Sequence, residues 1–280
     1  MYKSKKGWVL AFDELPYFIQ GLVDPGVWGN PYQSWSIPGT AVQLRYQFAI
    51  APVDGEQNLR LFTEAQQASV RLALSYWGDV SGVSFLEVAS DAPAEVTLFR
   101  DDLTSVGAGD AAGYAWMPSY YDAQAGDVHI NSIEYGDASS FGPGSYEFQV
   151  LLHEVGHALG LKHPFDEPAL PAAEDTQTNT VMTYNLNWDN AQSLGMFDLA
   201  AVHAFYGVDH AARSGSNTYH LSDRYIWDGA GADMLDGSTE TQRLNIKLSE
   251  GSWIWAGAQS TSILDEGQAF IGYGTLIERA

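Results

Sequence analysis

The chain has 280 residues, 45% of them hydrophobic, enough to build one large core or two smaller ones. Thirty-five Asp and Glu stand against 13 Lys and Arg, a net charge of −22, which argues against nucleic acid and anionic membranes as partners. Cysteine is absent, so disulfides and cysteine-ligated metals are excluded, and no apolar run approaches the length of a membrane span.

Residues 1–40 are rich in Gly, Pro and aromatics without a clean period, which predicts loops and one peripheral helix near Pro16–Ile19. Residues 1–12 lack the apolar stretch and cleavage site of a secretory signal. Val42, Leu44, Tyr46, Phe48 and Ile50 alternate strictly and mark a half-buried strand. Thr63 and Gln66 form a capping box before a helix over residues 64–77, with Val70, Ala73, Leu74 and Trp77 on its core face. Short strands are predicted at 84–88, 95–100, 113–117 and 127–130. This order predicts an α+β fold, a mixed sheet backed by helices. Two further helices are predicted, residues 146–159 capped by Ser145, and residues 194–206 ending at Gly207.

The helix over 146–159 carries His153 and His157, four residues apart and so on one face. Glu154, beside the first His, can reach a metal-bound water without ligating the metal. Gly160 can end the helix in the left-handed conformation and let the chain return His163 as a third nitrogen. Pro164 then prevents the helix from restarting. Three neutral imidazoles with an open fourth position describe a catalytic zinc site.

Residues 153–163 match the His-Glu-x-x-His-x-x-Gly-x-x-His signature, and Val181-Met182-Thr183-Tyr184 resembles the methionine turn that accompanies it in metzincin metallopeptidases. Tyr184, two residues after Met182, resembles the tyrosine that lies at the zinc in serralysins and astacins; matrixins would show a proline there. Pro164, Glu174-Asp175-Thr176 and the run from Phe197 to Gly207 also look like serralysin. The resemblance implies a metzincin-type five-stranded mixed sheet with three main helices. It also implies a cleft beneath the sheet, whose edge strand, Gly113-Tyr114-Ala115-Trp116, pairs with an extended peptide substrate. It assigns zinc to His153, His157, His163 and Tyr184, the general base to Glu154, oxyanion stabilisation to Tyr184, and structural packing to Met182.

Beyond Gly207 helix signals disappear and strand-like pieces alternate with Gly, Asp and Ser. A boundary near residue 208 is therefore expected, with a peptidase domain over 1–208 and a β-rich module over 209–280. Within the module, Trp227–Gly237 resembles one copy of the Gly/Asp nonapeptide of calcium-binding β-rolls. By resemblance Arg213, Gly215, Asn217, Asp228, Gly231 and Asp233 are calcium-site residues, and Glu278 is a ligand of a second ion. The module would be a truncated β-roll, because the tandem repeats and C-terminal export signal of serralysins are missing. Phe165-Asp166-Glu167 also departs from that family's Gly-Asp-Tyr. The leading expectation is a monomeric zinc endopeptidase acting on extracellular proteins, exported without a signal peptide. The alternatives are a self-processing protease domain of a larger calcium-dependent repeat protein and a non-catalytic binding module.

Overall fold

The computed structural model describes residues 2–4, 7–9, 11–26, 34–52, 58–133, 141–186 and 190–280. The chain starts with a hairpin of β1 (Tyr2–Ser4) and β2 (Gly7–Val9), followed by one helical turn, α1 (Tyr17–Gln20). Neither strand of the hairpin is signalled by the sequence. Next come β3 (Val42–Phe48), α2 (Glu64–Gly78), β4 (Val83–Glu87), β5 (Val96–Asp101), β6 (Gly113–Ala115) and β7 (Val128–Asn131). The five strands β3 to β7 form one sheet in the order β4-β3-β5-β7-β6. Its first four members run parallel and β6 is antiparallel at the edge. With α3 (Tyr146–Ala158) and α4 (Met196–Tyr206), this is the expected α+β arrangement of one mixed sheet and three main helices.

The elements form for local reasons. In β3, Leu44, Tyr46 and Phe48 are buried, while Arg45 and Gln47 face the other side. The strand stops at Phe48, and Ile50, expected to continue the alternation, is 63% exposed. At the start of α2 the Thr63 hydroxyl accepts from Gln66 N at 3.3 Å and the Gln66 side chain accepts from Thr63 N at 3.0 Å. Ser145 caps α3 by accepting from Phe148 N at 3.1 Å.

The helix near Pro16–Ile19 is not peripheral. Phe18 and Ile19 are fully buried. The Phe18 ring lies 5.7 Å from Phe197 of α4, 5.5 Å from Phe270 and 6.0 Å from Trp253. Four residues are too few to display a period, and the partners that bury this turn lie far along the chain.

After α4 come β8 (Thr218–Tyr219), β9 (Tyr225–Ile226), β10 (Met234–Leu235), β11 (Leu244–Asn245), β12 (Ser252–Ala256) and β13 (Gln268–Ile271). β8 and β10 pair in parallel, and a second sheet has the order β11-β12-β13-β9. A small apolar cluster around Leu221, Ile254 and Ile271 lies inside this segment. Tyr225, Trp227, Ile263 and Phe270 belong instead to the large core that also contains α2, α3 and α4. Across residue 208 the hydrophobic interior is therefore continuous.

Candidate active site

Helix α3 is buried from Phe148 to its end, and its last two turns present His153, Glu154 and His157 to a cleft. Past the helix, Gly160 takes φ +102°, and Leu161 bridges to Val23. The returning chain sets His163 opposite the helix. The His157 Nε2 lies 3.1 Å from Nε2 of His153 and 3.1 Å from Nε2 of His163.

The other ring nitrogens are engaged elsewhere. His153 Nδ1 is 2.8 Å from the Val181 carbonyl, and His157 Nδ1 is 2.7 Å from the Leu161 carbonyl. His163 Nδ1 is 3.3 Å from Asp166 Oδ2. A carbonyl only accepts, so in His153 and His157 the proton sits on Nδ1 and the Nε2 lone pair is free. Burial lowers all three imidazoles, His153 to about 4 and His157 well below its ordinary value, which keeps them neutral. Neutral Nε2 atoms facing one another cannot satisfy each other by hydrogen bonds. Their spacing is close to the edge of a tetrahedron drawn with zinc–nitrogen bonds, about 3.3 Å. The residues present therefore fit a zinc ion, and among the described residues this is the one three-ligand cluster of its kind.

Glu154 is buried, with its Oε2 without a hydrogen-bond partner, and burial pushes its carboxyl up to about 8. It faces edge strand β6 at close range. A Cβ on Gly113 would lie 3.0 Å from Glu154 Cγ, 3.1 Å from Oε1 and 2.7 Å from the His129 carbonyl. Glycine at 113 is what lets the backbone come this near. The strand itself covers Gly113, Tyr114 and Ala115. Trp116 falls just outside it, although its N–H still donates to the Asp127 carbonyl at 2.9 Å. No other described strand pairs with the outer edge of β6.

Met182 is fully buried beneath the histidines. Its sulfur lies where a Cβ on Gly156 would fall, 2.5 Å away, so the glycine between the two α3 histidines makes room for the methionine. Tyr184 is 64% exposed, with its ring 4.7 Å from His163 and 5.6 Å from His153. Its phenol is raised by partial burial and by the nearby Glu154. Cavities of about 320 and 450 Å³ meet at His153, Glu154 and Tyr184. The larger has Val150, Tyr146 and Leu186 in its walls.

Five contributors escape a reading by motif. The Val181 and Leu161 carbonyls orient two histidines, and no side-chain pattern marks a carbonyl. Asp198 of α4 is buried and accepts from Val181 N at 2.9 Å, Gly195 N at 2.7 Å and Thr180 Oγ1 at 2.6 Å, fixing the turn that carries Val181. Lys162 looks like a surface residue but is buried, its Nζ donating to the carbonyls of Gly21, Asp166 and Pro168 at 2.7, 2.8 and 3.0 Å. Phe165 stacks on His163 at 4.8 Å.

A sequence profile described as Matrixin matches residues 43–207, the span that holds the sheet, the three main helices and the histidine cluster. The chain belongs to this metallopeptidase family. Among curated relatives, Metalloprotease AprA of Pseudomonas entomophila (strain L48) is 30% identical over 295 aligned positions, covering 90% of this chain and 59% of the relative. Serralysin C of Dickeya chrysanthemi is 28% identical, with 88% and 59% covered. Serralysin of Photorhabdus laumondii subsp. laumondii is 27% identical, with 86% and 56% covered. The chain is thus a metzincin of the serralysin type, in keeping with Tyr184 after the methionine turn, and it spans somewhat under 60% of the length of these relatives.

The calcium-site residues expected by resemblance converge in the tail. Asp233 Oδ1 accepts from Asn217 N at 2.8 Å, and the Gly215 carbonyl packs against Gly231 so closely that no side chain fits at 231. Arg213, at φ +46°, lays its guanidinium 4.0 Å over the Trp227 ring. Asp228 Oδ1 and Asp233 Oδ2 are buried without partners. Burial, with the Asp233 charge beside it, raises the Asp228 carboxyl. Glu278 accepts from Asp233 N at 2.6 Å, which sets it beside this same pair of aspartates.

Proposed function

We propose that the chain is a zinc-dependent endopeptidase that hydrolyses peptide bonds of extracellular proteins, with Glu154 as general base. The observation that carries this reading is the convergence of three neutral Nε2 atoms beside a buried carboxylate with a free oxygen. His153, His157 and His163 would hold the ion, with Tyr184 close by. Zinc there supplies a Lewis acid and makes water acidic enough to be deprotonated near neutral pH. Glu154 accepts that proton and delivers it to the leaving nitrogen as the carbon–nitrogen bond breaks. The Tyr184 hydroxyl donates to the oxygen on which negative charge develops. The open edge of β6, at Gly113, Tyr114 and Ala115 and continued by Trp116, aligns an extended peptide by main-chain pairing. Casein digestion with and without a chelator tests the reading. Hydrolysis should stop on chelation and return with added zinc; digestion that ignores the chelator would sink it.

The proposal extends to the tail. Residues 1–208 carry the peptidase, and 209–280 form a β-rich module that binds calcium. Two buried carboxylates with free oxygens, Asp228 and Asp233, need a cation to balance them. An ion that binds only the folded chain stabilises it by mass action. At a hundredfold excess over Kd the midpoint of thermal unfolding should rise by about 5 °C, in a zinc-saturated sample. Asp228→Asn with Asp233→Asn should blunt the rise. A midpoint that stays fixed from micromolar to millimolar calcium rejects the calcium site.

A further inference from the structure

Tyr184 stands beside the histidine cluster, 4.7 Å from His163 and 5.6 Å from His153 between ring centres. Its ring is largely exposed, and among the described residues no hydrogen bond is recorded for its hydroxyl. Its ring packs against both histidines and, at 5.0 Å, against Phe165, and with no hydrogen bond at the hydroxyl the rest of its placement comes from the backbone on either side. Both flanking residues are tied to one group. The Thr183 hydroxyl donates to Asp175 Oδ1, and the Asn185 amide donates to Asp175 Oδ2 at 3.0 Å and to the Asp175 carbonyl at 2.9 Å. Asn185 N in turn donates to the Thr183 hydroxyl at 3.0 Å, closing a ring of hydrogen bonds around the Tyr184 peptide units. Asp175 and Thr183 are both buried, so water does not compete for these bonds.

The clamp is itself anchored. Glu174, next to Asp175, accepts from the Tyr17 hydroxyl at 2.7 Å through Oε2 and from the Ser262 hydroxyl at 2.6 Å through Oε1. The Tyr17 oxygen also accepts from Ile263 N at 3.1 Å. The start of the chain, the loop before the methionine turn and the C-terminal segment thus meet at one carboxylate.

We propose that Asp175 is the positioning residue for Tyr184: its carboxylate clamps Thr183 and Asn185 and so holds the phenol over the histidines. This rests on the role given to Tyr184 above. An outer-shell role of this kind should act on kcat through Tyr184 and on nothing else in the site.

The test combines kinetics with amide exchange in the zinc-loaded full chain. Asp175→Ala should lower kcat about tenfold with KM within about twofold, the low end of the cost of losing an outer-shell partner. In a Tyr184→Phe background the same change should cost less than about twofold, because the residue it positions has already lost its hydroxyl. The Asn185 amide should exchange about tenfold faster, while zinc content and the amides of α3 stay as in the wild type. Equal losses in both backgrounds, or wild-type exchange at Asn185, would overturn the proposal. Thr183→Val reads the same clamp where Asp175→Ala does not fold, and Thr183→Ser, which keeps the hydroxyl, should restore kcat. A Tyr184→Phe variant with wild-type kcat would refute the catalytic role of Tyr184, whereas exchange at Asn185 decides the clamp separately.

Discussion

Glu154→Gln should leave zinc bound and lower peptide hydrolysis by about a hundredfold or more. Glutamine keeps the shape of the side chain beneath β6 and cannot take a proton from water. The three histidines should be unaffected, since Glu154 makes no hydrogen bond to any of them. Fold stability should not fall either. The carboxylate is buried with one oxygen unpartnered, a placement that disfavours its charged form. The decisive comparison is casein digestion beside metal content and melting temperature in the same preparation. A variant that digests at the wild-type rate removes Glu154 from the mechanism. One that loses zinc moves it to the metal shell.

His163→Ala should abolish hydrolysis and weaken zinc binding by more than about a hundredfold, the upper end of what loss of an outer-shell partner costs. His163 is the informative choice of the three. Its side chain is 22% exposed and stands on the loop after α3, so its removal leaves the helix packing intact. His153→Ala and His157→Ala should match it in activity, with added cost to stability, because both are buried within the core helix. Metal analysis and hydrolysis on one sample separate the cases. Full zinc occupancy in His163→Ala would mean that the third ligand is another residue.

Much of this was legible from residues close together in the chain. The i, i+4 spacing of His153 and His157, Gly160 at the turn and the Thr63–Gln66 box are local signals, and the three main helices formed within two residues of their expected ends. What sequence could not reveal depends on partners far away. Phe18 in a single helical turn becomes a core residue only because Phe197, Trp253 and Phe270 close over it. Lys162, between Leu161 and His163, is buried because carbonyls from residues 21, 166 and 168 surround its ammonium. Asp198 sits in an apolar helix that offers no hint of what its carboxylate holds. Glycines 113 and 156 gain their meaning from Glu154 and Met182, and neither pairing has a periodicity to betray it.

The junction at Glu174 has a consequence for the order in which the molecule is assembled. Tyr17 leaves the ribosome 245 positions ahead of Ser262 and must wait for it before their shared carboxylate is fully partnered. Contacts of such long separation form late, since a large loop must close before they contribute. The histidines and Glu154 lie in one short segment and can come together early. Glu174, next to the Asp175 clamp, gains its Ser262 partner only once the tail has docked. A nascent chain would thus hold its three histidines together before the Glu174 junction is complete, and the loop that carries Tyr184 would reach its final anchorage only after Ser262 had been made and had folded back.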